Sequence, residues 1–281
     1  RFWHEQQGLH VVDSIETLLD PTGKTQNLML TYAVRDGIIS HCGEVRSTVI
    51  RPREEAMDLN DIERPSQYAP YTWEGCVVKI ADKIAYLGRD IEDAVRLGIL
   101  KEDGKPLQDL LKELNSYSKE PIQSVTNTSI MYPLITDICR ESSPEAGLVL
   151  SQSHINMMDA VMRFNYAHIY KNKRLEVYHA YARLILESVY KLLRECYGGT
   201  ETMNNIRLLA KDYPTLGRHF EKRMKKFSDS GRLEADPDEY GNKVIYKISD
   251  SEDDYKKACI DYIAGMTDTY AEKIFGEMTT F

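Results

Sequence analysis

The chain has 281 residues, of which 42% are hydrophobic and 28% are charged, so wholesale disorder is excluded and a sizeable core is available. The net charge of −8 disfavours general nucleic-acid binding, because phosphate contacts need clustered lysine and arginine. The five cysteines stand singly without a CxxC pair, which favours reduced thiols in a cytoplasmic protein. No run reaches the length of an apolar membrane span, so the sequence predicts no membrane partner.

The N-terminal third begins with helical patterns and then loses them. Apolar residues at near-helical spacing predict a helix over 1–19, which the turn residues 20–23 end. A second helix is predicted over 27–40. The stretch 44–70 combines prolines with many charges and predicts a long irregular connection.

The stretch 71–94 carries the strongest pattern in the chain. Its apolar arc on a helical wheel predicts a buried helix face and consists of Trp73, Cys76, Val77, Ile80, Ile84, Leu87, Ile91 and Val95. The opposite face gathers a phenol and three carboxylates, namely Asp82, Tyr86, Asp90 and Asp93. This polar face has two interpretations, a solvated surface or the wall of a cleft in which Asp82 binds a metal ion.

The rest of the chain predicts further helices and little else. They are expected over 107–114, 124–139, 154–170, 175–196, 202–209, 216–227 and 251–275. Alternating apolar residues over 243–248 predict one short strand. There is no GxGxxG, Walker-type or GxSxG sequence. The predicted fold class is therefore mainly α, with at most a short β element near 243–248.

Separated runs carry a resemblance to a known family. ADKIAY at 81–86 and DIEDA at 90–94 are similar to the second signature of the HD-domain deoxynucleoside triphosphate triphosphohydrolases, the family typified by dGTPase. Residues 30–41 resemble the family's stretch upstream of that helix, and residues 261–268 resemble its closing signature. Because the matches follow the family's order along nearly the whole chain, the resemblance is specific.

The resemblance implies an HD-domain-like helical bundle. Residues 1–100 would form the C-terminal part of the catalytic core, and 101–281 a helical region packed on it. The implied reaction is hydrolysis of a deoxynucleoside triphosphate to deoxynucleoside and tripolyphosphate, with a divalent metal ion such as Mn²⁺, Mg²⁺ or another transition metal. A homo-oligomer is implied as well. The alternative is a non-catalytic HD-like protein that binds nucleotide or assembles with partners.

The resemblance also assigns roles along the helix over 71–94. Asp82 matches the family's distant metal ligand, and Lys83 beside it is a candidate phosphate contact. Tyr86 resembles the position that faces the sugar, and Asp90 the position that hydrogen-bonds the 3′-hydroxyl. Arg89 departs from the family, which often has histidine there, and this leaves the base preference open.

Four further residues have weaker support. His4 and Glu5 are candidate catalytic residues near the active site, although a histidine making a local hydrogen bond explains His4 equally well. Arg35 is a candidate phosphate contact or a residue that orients a neighbouring helix. Tyr262 is a candidate substrate contact for which helix packing is the competing explanation.

One part of the family's pattern is missing from the sequence. Family members bind their metal ion through one histidine, an adjacent His-Asp pair and the distant aspartate, and no His-Asp dipeptide occurs here. Because the chain starts at Arg1, at what resembles the point just after that pair, we expect a fragment whose activity belongs to the full-length form.

Overall fold

The computed structural model describes residues 3–42 and 49–280, and within these ranges it contains twelve α-helices and two small antiparallel sheets. The predicted mainly α fold class is confirmed. The helices are α1 (His4–His10), α2 (Tyr32–Ser40), α3 (Trp73–Arg96), α4 (Lys105–Tyr117), α5 (Asn127–Glu141), α6 (Gln152–Asn165), α7 (Lys173–Arg194), α8 (Thr202–Asp212), α9 (Pro214–Phe227), α10 (Asp229–Leu233), α11 (Glu252–Ala264) and α12 (Asp268–Thr279). Single π-helical turns follow α1 and α6, at Val11–Ile15 and Tyr166–Tyr170.

The sheets lie where the sequence predicted helix or loop. Strand β1 (Thr17–Leu19) pairs with β2 (Thr25–Asn27), and β3 (Val49–Ile50) pairs with β4 (Leu148–Val149). The first hairpin forms because the Asp20 carboxylate accepts backbone N–H groups from both Thr22 and Lys24, which closes a tight turn. The helix expected over 1–19 is therefore wrong beyond residue 15.

Two other local predictions differ from the structure near the C-terminus. The strand expected over 243–248 is reduced to one bridge between Ser228 and Tyr246. The single helix expected over 251–275 is interrupted after Ala264, because Thr267 begins α12 by accepting the backbone N–H of Tyr270.

The described chain divides into two compact units. The first comprises the chain up to Leu9 together with Leu30–Glu176, and the second comprises His10–Met29 together with the chain from Val177 onward. No helix among the described residues is long and apolar enough to cross a membrane. The sequence analysis expected a boundary near residue 100 between part of a catalytic core and a helical region packed on it. That division stays a proposal.

In the first unit, α3 packs against α2, α5 and α6. Thr72 starts this helix by accepting the backbone N–H of Gly75 at 3.1 Å. Most of the predicted apolar arc is buried, but Trp73 and Val77 near its first turn are 41% and 48% exposed. Helix α3 thus buries one face and leaves its acidic face accessible.

The irregular segment after Ile50 is fixed to α2 by a buried ion pair. Asp36 is fully buried, pairs with the Arg53 guanidinium and accepts the backbone N–H of Tyr71 at 2.6 Å. Arg53 also donates to the Tyr32 hydroxyl at 2.6 Å and to the Ala69 carbonyl at 2.8 Å. These contacts place the chain that leads into α3.

The second unit is built around α9, which packs against α8, α10, α11 and α12. Its core contains fully buried side chains from several helices, namely Leu193, Ile206, Leu216, Phe220 and Tyr255. The N-terminal hairpin belongs to this unit, since Thr25 donates to the Glu239 carbonyl and accepts from the Gly241 N–H.

Candidate functional site

Two of the residues predicted from separate parts of the sequence lie together in the first unit. The His4 Nε2 atom on α1 lies 3.0 Å from the Cys42 sulfur, just beyond α2. The same sulfur lies 4.0 Å from Asp82 Oδ2 on α3. Cys42 therefore joins the candidate catalytic histidine to the candidate metal ligand.

Glu5 lies beside this group as a buried carboxyl group. Its side chain is 1% exposed, and Oε2 lies 3.1 Å from His4 Nδ1. The contact is not aligned as a hydrogen bond, and in the described part of the chain neither carboxylate oxygen has a hydrogen-bond partner. A buried carboxylate in this position is costly unless a proton or a cation compensates it.

Burial, together with the negative charges of Glu5 and Asp82, raises the pKa of the Cys42 thiol to about 12. The side chain alone is therefore a protonated thiol at neutral pH. Only a strong local positive charge would change that state.

Lys79, which was not predicted from the sequence, holds the backbone at the end of α2 around Cys42. Its buried ammonium donates to the carbonyl of Ser40 at 3.0 Å and to that of Cys42 at 2.6 Å. Burial lowers the pKa of Lys79. The lysine lies one turn before Asp82 on the buried side of α3. The sequence did not reveal its role, because that role depends on contacts with the end of α2 that exist only after folding.

His41 also belongs to the cluster, although its sequence position suggested only a helix-end histidine. Its Nδ1 atom donates to the Ile38 carbonyl at 2.7 Å. Donor atoms of His4, His41 and Cys42 all lie within 4.8 Å of one another. The one signal for this cluster in the sequence is that His41 and Cys42, two possible metal ligands, are adjacent.

A pocket of about 690 Å³ opens between α2 and α3 beside the cluster. Ala33, Val34 and Val78 contribute apolar walls, and His41 and Asp82 are polar members of its lining. Its size suits a small organic ligand.

The remaining candidates on α3 occupy different environments. Lys83 is buried, with 7% of its surface exposed, whereas Tyr86 is 38% exposed. The Asp90 carboxylate accepts a hydrogen bond from the Tyr170 hydroxyl. Burial and this contact together raise the pKa of Tyr170. Tyr86 and Asp90 follow Asp82 by one and two turns, within about 12 Å along the axis.

The last two candidates lie elsewhere. Arg35 is half-buried on α2. Tyr262 lies in the core of the second unit, where it is 9% exposed and its ring packs against that of Phe220 at a tilt of 55°. Its hydroxyl oxygen lies 2.8 Å from that of Tyr270. Burial raises the pKa of Tyr262. The Tyr262 ring is part of the packing between α9, α11 and α12.

Known proteins are similar to this chain over nearly its whole length. The model of the phosphohydrolase-associated domain matches residues 230–277. A deoxyguanosinetriphosphate triphosphohydrolase-like protein of Clostridium perfringens strain 13 is 26% identical over 99% of this chain and 60% of its own length. The resemblance to the dGTPase-like family is confirmed. A protein of the same name from Rickettsia bellii is 25% identical over 99% of this chain and 67% of its own length.

These relatives are longer than the chain described here. The chain spans 60% of the length of the Clostridium perfringens relative and 46% of a deoxyguanosinetriphosphate triphosphohydrolase-like protein of Desulfatibacillum aliphaticivorans that is 28% identical. The chain is therefore related to phosphohydrolases.

The donors that the chain supplies do not fit the family's complete metal set. That set, as the resemblance implies it, needs an adjacent His-Asp pair, and none of the histidines here precedes an aspartate. Asp82 alone matches. The accessible position of Asp82 and the Glu5 carboxyl oxygens, which have no hydrogen-bond partner among the described residues, nevertheless make the region around Cys42 suited to a cation.

Proposed function

We propose that the chain is part of a phosphohydrolase that converts a deoxynucleoside triphosphate to deoxynucleoside and tripolyphosphate. The observation that carries the proposal is the convergence of His4, Glu5 and Asp82 around one thiol, although 77 or more positions separate Asp82 from the other two. The matching relatives bear triphosphohydrolase-like names over nearly the whole chain. Asp82 is proposed as the one ligand that the chain contributes to the divalent metal ion of the family.

The His4 and Glu5 pair is suited to moving a proton. A carboxylate in contact with imidazole Nδ1 favours the tautomer that carries its proton there, which leaves Nε2 able to accept or return a proton. His4 is exposed while Glu5 is buried, so the imidazole can reach a substrate while the carboxyl group stays behind it. We assign these two residues the general acid and base role.

Substrate binding is assigned to the face of α3 beyond Asp82. Lys83 offers a cation for phosphate, with Arg35 on α2 as a second candidate. Tyr86 and Asp90 are assigned to the sugar, where the phenol contacts deoxyribose and the carboxylate accepts a hydrogen bond from its 3′-hydroxyl. Because Asp90 is bound to the Tyr170 hydroxyl, substrate binding here would compete with or rearrange that contact. Tyr262 remains a proposed contact of the full-length assembly.

The test is release of tripolyphosphate from each of the four deoxynucleoside triphosphates by the full-length protein, with Mn²⁺ or Mg²⁺. Full-length Asp82→Asn and His4→Gln are expected to lower the rate at least about 100-fold, the scale of losing a general acid–base group. Asp93→Asn on the same helix is the matched control. Asp93 pairs with Arg89 and Arg96 at the surface, so its loss should leave the rate nearly unchanged.

If no form releases tripolyphosphate while nucleotide still binds, the enzyme assignment is wrong. A non-catalytic nucleotide-binding or assembly protein then replaces it. Light scattering of the full-length protein, with and without nucleotide, tests the homo-oligomer that the family implies.

A further inference from the structure

We propose that His4, His41 and Cys42 form a binding site for a thiophilic divalent cation of the Zn²⁺ type within this chain. The donor atoms of these three residues lie within 4.8 Å of one another, and the Cys42 sulfur lies 4.0 Å from Asp82 Oδ2. This donor set is separate from the family's set, in which Asp82 is the matched ligand. A cation bound here would occupy His4 Nε2, the atom assigned above to proton transfer, so the proposal describes an alternative state of these residues and does not depend on the proposed reaction.

The surroundings of the two histidine rings point to the same conclusion. His41 Nδ1 must carry its proton, because its partner, the Ile38 carbonyl, can only accept; the Nε2 lone pair is therefore left for a metal ion. Metal-binding histidines characteristically engage their second ring nitrogen with a carbonyl in this way. His4 Nδ1 lies 3.1 Å from the Glu5 carboxylate, and its Nε2 is directed at the sulfur.

The spacing of the three donors suits one zinc ion. Zinc bonds of about 2.3 Å to sulfur and about 2.0–2.1 Å to nitrogen place neighbouring donors about 3.5 Å apart. The observed separations run from 3.0 Å, between His4 Nε2 and the sulfur, to at most 4.8 Å within the trio, so small side-chain movements suffice. Lys79 holds the Ser40 and Cys42 carbonyls, which fixes the backbone that carries two of the donors.

The donor chemistry selects the cation. Thiolate and imidazole suit Zn²⁺ and its relatives, whereas Mg²⁺ and Ca²⁺ require a shell of oxygen donors. The carboxylates of Glu5 and Asp82 add negative charge that a divalent ion would neutralise.

The experiment adds Co²⁺ to the full chain after chelation of endogenous metal. Cobalt reports a thiolate ligand through a charge-transfer band in the near ultraviolet and a tetrahedral site through intense visible bands. We expect one equivalent to bind with both signatures, and Zn²⁺ to displace it. Cys42→Ser should abolish the charge-transfer band, and His41→Gln should weaken Zn²⁺ binding at least about tenfold.

Two further variants separate the site from general effects. Glu5→Gln, which changes a contact of His4 rather than a ligand, should lower the Zn²⁺ affinity about 10–100-fold and keep the charge-transfer band. Cys139→Ser removes an exposed cysteine of α5 and should change nothing. Circular dichroism establishes that each variant is folded, and any misfolded one is replaced by alkylation of the native chain, in which Zn²⁺ should protect Cys42 and not Cys139.

A missing charge-transfer band, a band that survives in folded Cys42→Ser, or alkylation of Cys42 unaffected by Zn²⁺ would each overturn the proposal. None of these readouts involves nucleotide. A chain that binds zinc as proposed, and that in full-length form, freed of zinc and supplied with Mn²⁺ or Mg²⁺, releases no tripolyphosphate, would therefore refute only the proposed reaction.

Discussion

Asp36 shows how much a single buried carboxylate organises in the first unit. The Asp36 and Arg53 side chains are 1% and 13% exposed, and their ion pair, with the Tyr71 N–H bond, ties a loop to the start of α3. Burial acts to lower the pKa of Arg53, but its pairing with Asp36 outweighs this and raises it.

Asp36→Asn should lower the free energy of unfolding by about 3–5 kcal/mol, because removing one partner leaves a buried charge without compensation. Urea denaturation measures the change. Glu63→Gln, an exposed position in the same loop, should stay within about 0.5 kcal/mol of the native chain. Equal, small effects of the two substitutions would mean that the ion pair does not hold the loop.

The stability of the hairpin of β1 and β2 is expected to depend on pH through Asp20. Hydrogen bonds from the Thr22 hydroxyl and the Gln26 amide, followed by backbone N–H groups, lower the pKa of this exposed carboxyl to about 2. A depressed carboxyl pKa stabilises the folded hairpin above the unfolded pKa of about 3.9, and that contribution is lost as pH falls through the folded value. A carboxyl NMR titration should give a midpoint near 2, and Thr22→Val should raise it. A native midpoint near 4 would contradict this turn.

The residue scale also shows what the sequence could predict. The run around Asp82 could be singled out because it resembles a family signature, and the His4-Glu5 pair because the resemblance puts its segment close to the active site. Cys42 and Lys79 were not, because their importance comes from contacts across about 40 positions in the chain, with Asp82 and the end of α2 respectively. Such contacts exist only after folding.

At the scale of elements, the approach of α3 to α5 depends on one glycine. A Cβ atom at Gly88 would lie 2.6 Å from the Asn127 Cα atom, so backbone would have to move. Gly88→Ala should therefore destabilise the chain by about 1–3 kcal/mol despite the better helix propensity of alanine. Thermal denaturation followed by circular dichroism measures the loss.

Gly276 in α12 supplies the matched control. A Cβ atom there would meet nothing within 4 Å, so Gly276→Ala should stabilise the helix by up to about 1 kcal/mol. If both substitutions stabilise the chain, α3 and α5 leave room for a Cβ atom at position 88 and their contact does not require glycine.

Helix prediction succeeded where the apolar period was long and failed where turn chemistry intervened. Helix α3 follows directly from its 3.6-residue period. The hairpin over 17–27 was missed because three-residue strands carry almost no period, and the turn at Asp20 decides the structure. The interruption after Ala264 depends likewise on a single cap, that of Thr267.

At the scale of the whole molecule, each unit has a core of its own. The first is centred on α3 to α6, with Leu134 fully buried, and the second on α7 to α9 and α11, with Ile206 fully buried. Ile206→Ala should cost about 2–5 kcal/mol and first lower amide hydrogen-exchange protection in α8, α9 and α11.

Leu134→Ala is the reciprocal variant and should first lower protection in α3 and α5. The two exchange maps together decide whether the cores respond separately. Equal loss of protection in both units from either substitution would show a single cooperative core instead.

The hairpin of β1 and β2 has a consequence for synthesis on the ribosome. Thr17 accepts a hydrogen bond from Lys226, a residue 209 positions later in the chain. At translation rates of about 5–20 residues per second, the hairpin waits roughly 10–40 s for that partner. The whole of Leu30–Glu176 is made in the interval and can complete its core first. The second unit therefore starts with this hairpin before most of the first unit is made and is finished only after it, because Leu30–Glu176 is inserted between its two segments.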